Sequence, residues 1–155
     1  MKIRIVALGQ RMPPWVNAAF DDYARRLPRE FALELLEVKP EPRERAKTVT
    51  RVLAAEAVRI AAATKGWLVV ALDERGEAWT TSRLAEKLRG WRDNASPVAF
   101  VIGSADGLAG AVKRDADVLL ALSALTLPHG LVRIVLAEQI YRAASLLRGH
   151  PYHRE

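Results

Sequence analysis

Short aliphatic runs and longer apolar stripes alternate along the chain. The runs are rich in Val, Ile and Leu, and they predict five strands, at 3–8, 31–38, 67–72, 98–102 and 118–122. The run at 98–102 is apolar at every position. Such a run is typical of a strand that is covered on both faces in a parallel sheet.

Apolar residues at three- and four-residue spacing predict a helix in each of the four connections between strands and a fifth helix after the last strand. These helices run from a first turn at Pro13 and Pro14 to Pro28, from Val49 to near Gly66, from an N-cap at Ser82 to Asn94, from Gly110 to about Arg114, and from Leu131 to about Arg148. The regular alternation predicts an α/β fold, with an open, mostly parallel five-stranded sheet and helices on both faces.

The last helix carries apolar residues on more than one side. A helix that docks on a sheet needs one stripe, so this pattern indicates deep burial or a surface shared with a second subunit. We therefore expect a homodimer. Glu138 and Arg142 lie four residues apart on a polar stripe of the same helix, a spacing that favours an intrahelical ion pair or a subunit contact.

Length and composition are those of a folded protein. The 155 residues suit one domain, 1–155; half are hydrophobic, 27% are charged and none is Cys. The absence of Cys removes disulfides and thiolate sites and fits a reducing compartment. The N-terminal apolar run is too short for a signal sequence, and no run approaches transmembrane length. We expect a soluble cytoplasmic protein with no membrane contact.

The chain has a formal net charge of +6, which favours a polyanionic partner, with nucleic acid as the first candidate. The alternative is a soluble protein that happens to be basic. Basic residues concentrate at 39–51, but Glu residues among them dilute the patch. That composition indicates a solvated loop and the start of a helix.

A glycine-containing loop follows the fourth strand, where α/β folds bind nucleotides. Gly103, Gly107 and Gly110 have the wrong spacing for a dinucleotide fingerprint, and the Gly-Lys-Ser/Thr ending of a P-loop is missing. The alternative interpretation is a turn that needs glycine dihedrals.

The three histidines, His129, His150 and His153, all lie in the last part of the chain. No acidic residue stands at ligand spacing, so a metal site is disfavoured and none is expected. A histidine acting as a base near neutral pH is the better hypothesis. Ser123 and Thr126 lie outside any G-x-S-x-G elbow, so a hydrolase is disfavoured.

Four segments together resemble a known family. They are the strand ends at 70–73 and 101–103, the run Ser123–His129 and the C-terminal His150–Glu155. The chain is similar over its whole length to the bacterial SPOUT methyltransferases that modify N3 of a pseudouridine in large-subunit ribosomal RNA. This resemblance implies a C-terminal trefoil knot, a homodimer and S-adenosylmethionine as cofactor.

The resemblance also implies the site. Cofactor contacts are expected from Leu72, Gly103, Leu122, Ser123, Ala124, Leu125, Thr126 and Leu127. The family commonly has a second Gly where this chain has Ser104. If that position needs a positive φ, Ser104 would distort the loop.

The C-terminal residues Tyr152, His153 and Arg154 are expected at the RNA-facing mouth of the site. His153 would accept the N3 proton, Arg154 would hold a phosphate or orient the base, and Tyr152 would stack on or bond to a base. The alternative for all three is that they anchor the chain end against a partner subunit.

The predicted function is therefore methyl transfer from S-adenosylmethionine to N3 of a pseudouridine in large-subunit ribosomal RNA, on the large subunit or the whole ribosome. A noncatalytic ribosome-binding factor is the main alternative. A nucleotide-dependent oxidoreductase is disfavoured by the missing dinucleotide fingerprint.

Overall fold

The computed structural model describes residues 1–154, apart from the side chain of His153. The strands are β1 (Lys2–Leu8), β2 (Ala32–Val38), β3 (Leu68–Ala78), β4 (Val98–Ile102) and β5 (Val118–Ala121). The helices are α1 (Pro14–Arg26), α2 (Val49–Thr64), α3 (Thr81–Asp93), α4 (Gly110–Asp115) and α5 (His129–Leu147), followed by a 3-10 turn at Pro151–Arg154.

The five strands form one sheet in the order β2-β1-β4-β3-β5, and all four neighbouring pairs are parallel. This confirms the predicted α/β sheet. Because the strands are parallel, their carboxyl ends lie at one edge, where such sheets place their ligands. β4 is buried at all five positions, as its uninterrupted apolar run predicts.

Helices cover both faces of the sheet, as predicted. One core lies under α1, α3 and α5 and includes Phe20, Leu88, Phe100 and Ile140. A smaller core on the other face, to which α2 contributes Ile60, includes Val101. Side chains that alternate along β4 enter the two cores in turn, so this strand is buried from both sides.

Most predicted boundaries differ from the structure by one or two residues, such as the start of α5 at His129 instead of Leu131, and two differences bear on the site. β3 continues to Ala78 instead of ending at Leu72, because its far end pairs again with β5 after a register shift at 73–76. The N-cap of α3 is Thr80, whose hydroxyl accepts the Arg83 N–H at 3.1 Å, and not Ser82.

Gly76 allows the register shift. A Cβ at this position would lie 2.6 Å from the backbone carbonyl carbon and oxygen of Leu119. The two strands therefore approach so closely that any larger residue must displace backbone.

α5 packs between α1 and α3, and Leu136 and Ile140 on it are wholly buried. Glu138 and Arg142 form the predicted intrahelical ion pair, at 2.6 Å. Among residues 1–154, no helix is long and apolar enough to cross a bilayer.

Candidate methyl-donor pocket and C-terminal segment

A pocket of about 450 Å³ lies at the carboxyl edge of β3, β4 and β5. It is lined by every residue expected to contact the cofactor: Leu72, Gly103 and the continuous run Leu122, Ser123, Ala124, Leu125, Thr126 and Leu127. These residues come from three separate parts of the chain. The parallel sheet brings them together because β4 and β5 end at the same edge, level with Leu72, where β3 stops pairing with β4.

The wall formed by 103–107 is a tight turn. The Gly107 N–H donates to the Ser104 carbonyl at 2.9 Å, and Gly107 adopts a φ of 80°, which favours glycine. A Cβ at Gly103 would lie 2.6 Å from the Gly107 carbonyl oxygen. The turn therefore folds back onto the end of β4, and glycine is required at 103 for space.

Ser104 does not distort the pocket turn, because its backbone does not adopt the positive φ that would have required a glycine. The residues other than glycine with positive φ, within residues 1–154, are Arg11 and Ala95. The Ser104 hydroxyl instead has two partners: it donates to Glu56 at 2.6 Å and accepts from Arg43 at 2.9 Å.

The opposite wall, 122–127, is shaped by its own side chains. The Ser123 hydroxyl accepts the Leu125 N–H at 2.9 Å, a local bond that serines often make in turns. The side chain of Leu125 is 77% exposed. The Ser123 hydroxyl thus holds the loop through its bond to the Leu125 N–H.

The pocket lining is acidic although the chain is basic. Three carboxylates line it, those of Asp73, Glu74 and Asp106, and one amine, that of Lys113, which lies 3.4 Å from Asp73. Asp106 is also paired, with Arg43 outside the pocket at 2.8 Å, so Glu74 is the lining carboxylate without an ionic partner among residues 1–154. The remaining charge favours a positively charged ligand over a nucleotide phosphate by a small margin.

A buried polar cluster lies beside the pocket at the N-terminus of α5. His129 Nδ1 is 3.2 Å from the Gly103 carbonyl oxygen, so Nδ1 carries the proton that it donates. Arg133, wholly buried, donates to Glu37 at 2.9 Å and to the Gly9 carbonyl at 3.0 Å. Burial, and then the Arg133 charge, lower the pKa of His129, so its ring is neutral at pH 7. His129 thereby fixes one edge of the pocket.

The C-terminal segment, residues 150–154, packs against α5. The Tyr152 hydroxyl donates to Glu138 at 3.1 Å, and its ring centroid lies 4.5 Å from that of Tyr141. The Arg142 guanidinium lies 4.8 Å from the centre of the Tyr152 ring. Burial raises the pKa of Tyr152, with further contributions from a hydrogen bond to Tyr23 and from the Glu138 charge. This phenol is a poor proton acceptor, because it stays protonated at neutral pH.

The other terminal candidates are placed as follows. His150 Nδ1 accepts the Tyr152 N–H at 3.2 Å, which occupies one of its ring nitrogens. Arg154 is exposed. The His153 side chain lies outside the described residues. Tyr152 does not line the pocket of its own chain, since Arg142 beneath it lies about 15 Å along α5 from the pocket residue Val132.

Comparison with known proteins decides the family. The family model described as "Predicted SPOUT methyltransferase" matches residues 1–153. The chain belongs to the SPOUT methyltransferase family. This confirms the predicted enzyme class: the protein is a methyltransferase, and its cofactor is S-adenosylmethionine. The trefoil knot follows from family membership.

Relatives of known name match over nearly the whole chain. A protein of Laribacter hongkongensis (strain HLHK9) named Ribosomal RNA large subunit methyltransferase H is 56% identical, with all of both chains covered. A protein of Burkholderia mallei (strain SAVP1) with the same name is also 56% identical, with 99% of each chain covered. The structure of a probable methylase family protein from Haemophilus influenzae Rd KW20 is 16% identical, with a TM-score of 0.61 over 97% of this chain and 69% of that one. That likeness shows the shared fold.

The pocket of this SPOUT protein fits S-adenosylmethionine. The cofactor carries a sulfonium and an ammonium against one carboxylate, so its net positive charge matches the acidic lining. It has no phosphate, and the pocket has no glycine-rich phosphate cradle. Among residues 1–154, no group of His, Asp and Glu could hold a metal ion.

Sequence reasoning missed two parts of the site. Arg133 stands in an apolar helix and its burial depends on Glu37, which is far away in the sequence. Arg43 was assigned to a solvated loop, yet it contacts the pocket turn at Ser104 and Asp106. Both are long-range charge contacts, for which a local pattern carries no signal.

Proposed function

We propose that this protein transfers a methyl group from S-adenosylmethionine to N3 of a pseudouridine in large-subunit ribosomal RNA. The observation that carries the proposal is the pocket, in which every residue expected to contact the cofactor meets at one sheet edge in a SPOUT methyltransferase. The names of the 56%-identical relatives support the RNA substrate. The protein would act in the cytoplasm, where the ribosomes are.

The cofactor would lie against Leu72, Gly103 and 122–127. Backbone groups of the two loops would bind its adenine and ribose, and the carboxylates beside the pocket would favour its positive charges. The bound cofactor supplies an activated methyl group. Transfer is an in-line displacement, so alignment of the acceptor nitrogen with the methyl carbon provides much of the rate acceleration.

The acceptor nitrogen must lose its proton before or during methyl transfer. Tyr152 is unsuited because its pKa is raised, and His129 donates its Nδ1 proton to Gly103 from a buried position. We therefore propose that His153 accepts the N3 proton and that Arg154 holds a phosphate or orients the base. In this assignment Tyr152 anchors the segment, and the bond from the Tyr152 N–H makes His150 part of the same anchor.

A homodimer would bring these residues to a pocket. α5 begins beside the pocket, which Val132 lines, and the start of α1 lies against it, since a Cβ at Gly130 would be 3.1 Å from the Val16 side chain. Trp15 and Leu131 at these two helix starts are 57% and 38% exposed, and the C-terminal segment lies on the far part of α5. In a two-fold pair, each subunit offers the same surface to the other. If the two α5 helices run antiparallel, the C-terminal segment of one subunit lies beside the pocket edge of its partner.

Ribosomal RNA would be bound partly through charge. Lys39, Arg45, Arg51 and Arg75 are exposed and have no ionic partner among residues 1–154, and they lie on segments that flank the pocket turn or project beside it. One subunit offers little RNA-binding surface, so we expect folded ribosomal particles to be better substrates than an isolated stem-loop.

The test is methylation of large subunits and 70S ribosomes with labelled S-adenosylmethionine, with the product located by nuclease digestion and mass spectrometry. His153→Ala and Arg154→Ala should lower methylation while leaving cofactor binding and dimerisation intact. Absence of a methylated pseudouridine in wild-type reactions would refute the proposed function. Loss of folding in both variants would instead support the anchoring role.

The dimer is tested separately. Trp15→Glu with Leu131→Glu should give a monomer in analytical ultracentrifugation that binds the cofactor but does not methylate. Mixing His153→Ala with the pocket variant Gly103→Ala should restore part of the activity, because a mixed dimer has one intact pocket facing one intact C-terminus. Full activity of a monomer would exclude a site shared between subunits.

A further inference from the structure

The segment between β2 and α2 is tied to the pocket turn by a single arginine. Arg43 Nε lies 2.8 Å from an Asp106 carboxylate oxygen, and Arg43 Nη2 donates to the Ser104 hydroxyl at 2.9 Å. Ser104 and Asp106 both line the pocket, whereas Arg43 does not. One planar guanidinium therefore holds two points of the turn from outside the pocket.

The turn has a second attachment on α2. Glu56 is 2% exposed, and one of its carboxylate oxygens accepts the Ser104 hydroxyl at 2.6 Å. The other accepts the Glu41 N–H at 3.1 Å. A buried carboxylate is costly unless donors satisfy it, so Glu56 favours the position of the turn in which Ser104 reaches it.

The hydrogen bonds run in one direction, from Arg43 through the Ser104 hydroxyl to Glu56. A hydroxyl that donates to a carboxylate is a better acceptor for a guanidinium, so each bond strengthens the other. The Ser104 hydroxyl is the only atom common to both bonds. Its removal separates the turn from Glu56 and from one half of the Arg43 contact.

We propose that Arg43, Ser104 and Glu56 are positioning residues that hold the 103–107 turn in the shape that binds S-adenosylmethionine. This inference rests on the proposed function, because it requires the cofactor in this pocket. None of the three side chains needs to touch the cofactor. They act through the turn, which folds so closely onto the end of β4 that a Cβ at Gly103 would lie 2.6 Å from the Gly107 carbonyl oxygen.

The inference predicts that loss of Arg43 lowers cofactor affinity much more than it lowers the global stability of the fold. The side chains of Arg43 and Asp106 are 37% and 34% exposed, and an ion pair of that exposure contributes little to global stability. Loss of Arg43 should therefore appear in cofactor affinity. A matched control is Arg83 on α3, whose ion pair with Glu86 is also exposed and lies outside the pocket lining.

The experiment measures S-adenosylmethionine affinity by calorimetry, its KM and kcat on ribosomes, and the midpoint of thermal unfolding. Arg43→Ala and Ser104→Ala should weaken cofactor binding about tenfold and raise its KM similarly, with kcat at saturation within about twofold of wild type. Arg83→Ala should lower the unfolding midpoint as much as Arg43→Ala and leave the affinity unchanged. Ser104→Thr should restore the binding that Ser104→Ala loses.

Two results would overturn this inference while leaving the proposed function standing. One is an unchanged affinity in Arg43→Ala and Ser104→Ala while the wild type binds the cofactor. The other is an affinity loss matched by a large fall in the unfolding midpoint, with no recovery in Ser104→Thr. A wild-type protein that binds no S-adenosylmethionine would overturn the proposed function as well as the inference.

Discussion

The ion pair between the buried Arg133 and Glu37 leads to a prediction about stability, and a second ion pair on the same strand provides a matched control. Its side chain is wholly buried, and its ionic partner is Glu37 on β2, at 2.9 Å. Glu37→Gln keeps the shape and an acceptor but removes the charge. A buried guanidinium then remains without its counter-ion, which is the costly way to break such a pair.

The magnitude follows from the distance and the exposure. Two charges about 4 Å apart near a protein surface attract by about 4 kcal/mol. Gln retains a neutral hydrogen bond of roughly 1 kcal/mol, and solvent at Glu37, which is 37% exposed, weakens the attraction further. We expect Glu37→Gln to lower the free energy of unfolding by about 2 kcal/mol.

Glu34→Gln is the matched control on the same strand. Glu34 pairs with Arg4 at 2.6 Å, but its side chain is 54% exposed. Arg4 also keeps its contacts with the Trp67 ring and the Ala63 carbonyl. This substitution should cost less than about 1 kcal/mol.

Urea unfolding measures both variants, and only the midpoint should change, not the slope. Thermal unfolding should place Glu37→Gln about 4–8 °C below wild type. In an Arg133→Met background, Glu37→Gln should cost less than about 0.5 kcal/mol, because no buried charge remains. Equal losses for Glu37→Gln and Glu34→Gln, or the same cost for Glu37→Gln in both backgrounds, would refute the reasoning.

Three further predictions concern single positions. Gly76→Ala should destabilise the protein by more than about 2 kcal/mol, because its Cβ would lie 2.6 Å from the β5 backbone. Gly90→Ala should stabilise it by about 0.5–1 kcal/mol, because Gly90 lies in a helix with open space around it. Urea unfolding that ranks the two variants the other way would contradict this. The lowered pKa of His129 means that the unfolded chain binds the proton more readily, so stability should fall as pH drops below about 6.5, and His129→Gln should flatten this dependence in unfolding measured from pH 7.5 to 5.5. Tyr152→Phe should retain most methylation because the ring contacts remain, while Tyr152→Ala should lose it; similar losses in both would favour a direct role of the phenol.

The strands could be predicted from the sequence because the sheet is buried on both faces. Such strands are continuous apolar runs, and β4 is the clearest case. The end of β3 could not be predicted in this way. Residues 73–78 are mostly polar and pair with β5 only because Gly76 allows close approach. The N-cap at Thr80 could not be distinguished from Ser82 in the sequence, because three adjacent hydroxyl residues, 80–82, are all suitable N-caps.

The pocket residues could be predicted because the resemblance rests on specific motifs at strand ends. The charged contacts around them could not be. Arg133 and Glu37 lie on different elements, as do Arg43 and Asp106, and each pair meets only after the sheet has formed. A pattern along the chain predicts a charged residue to be exposed, and only the folded structure shows which charges are buried or paired.

The central place of α5 affects how the chain folds during synthesis. This helix follows all five strands in the chain, yet it fills the middle of the larger core and packs on α1, which lies more than a hundred residues earlier in the sequence. Until it emerges from the ribosome, the apolar faces of α1, α3 and the sheet have nothing to cover them. A nascent chain in this state is prone to aggregation and suited to chaperone binding, so the larger core closes only once α5 has been made.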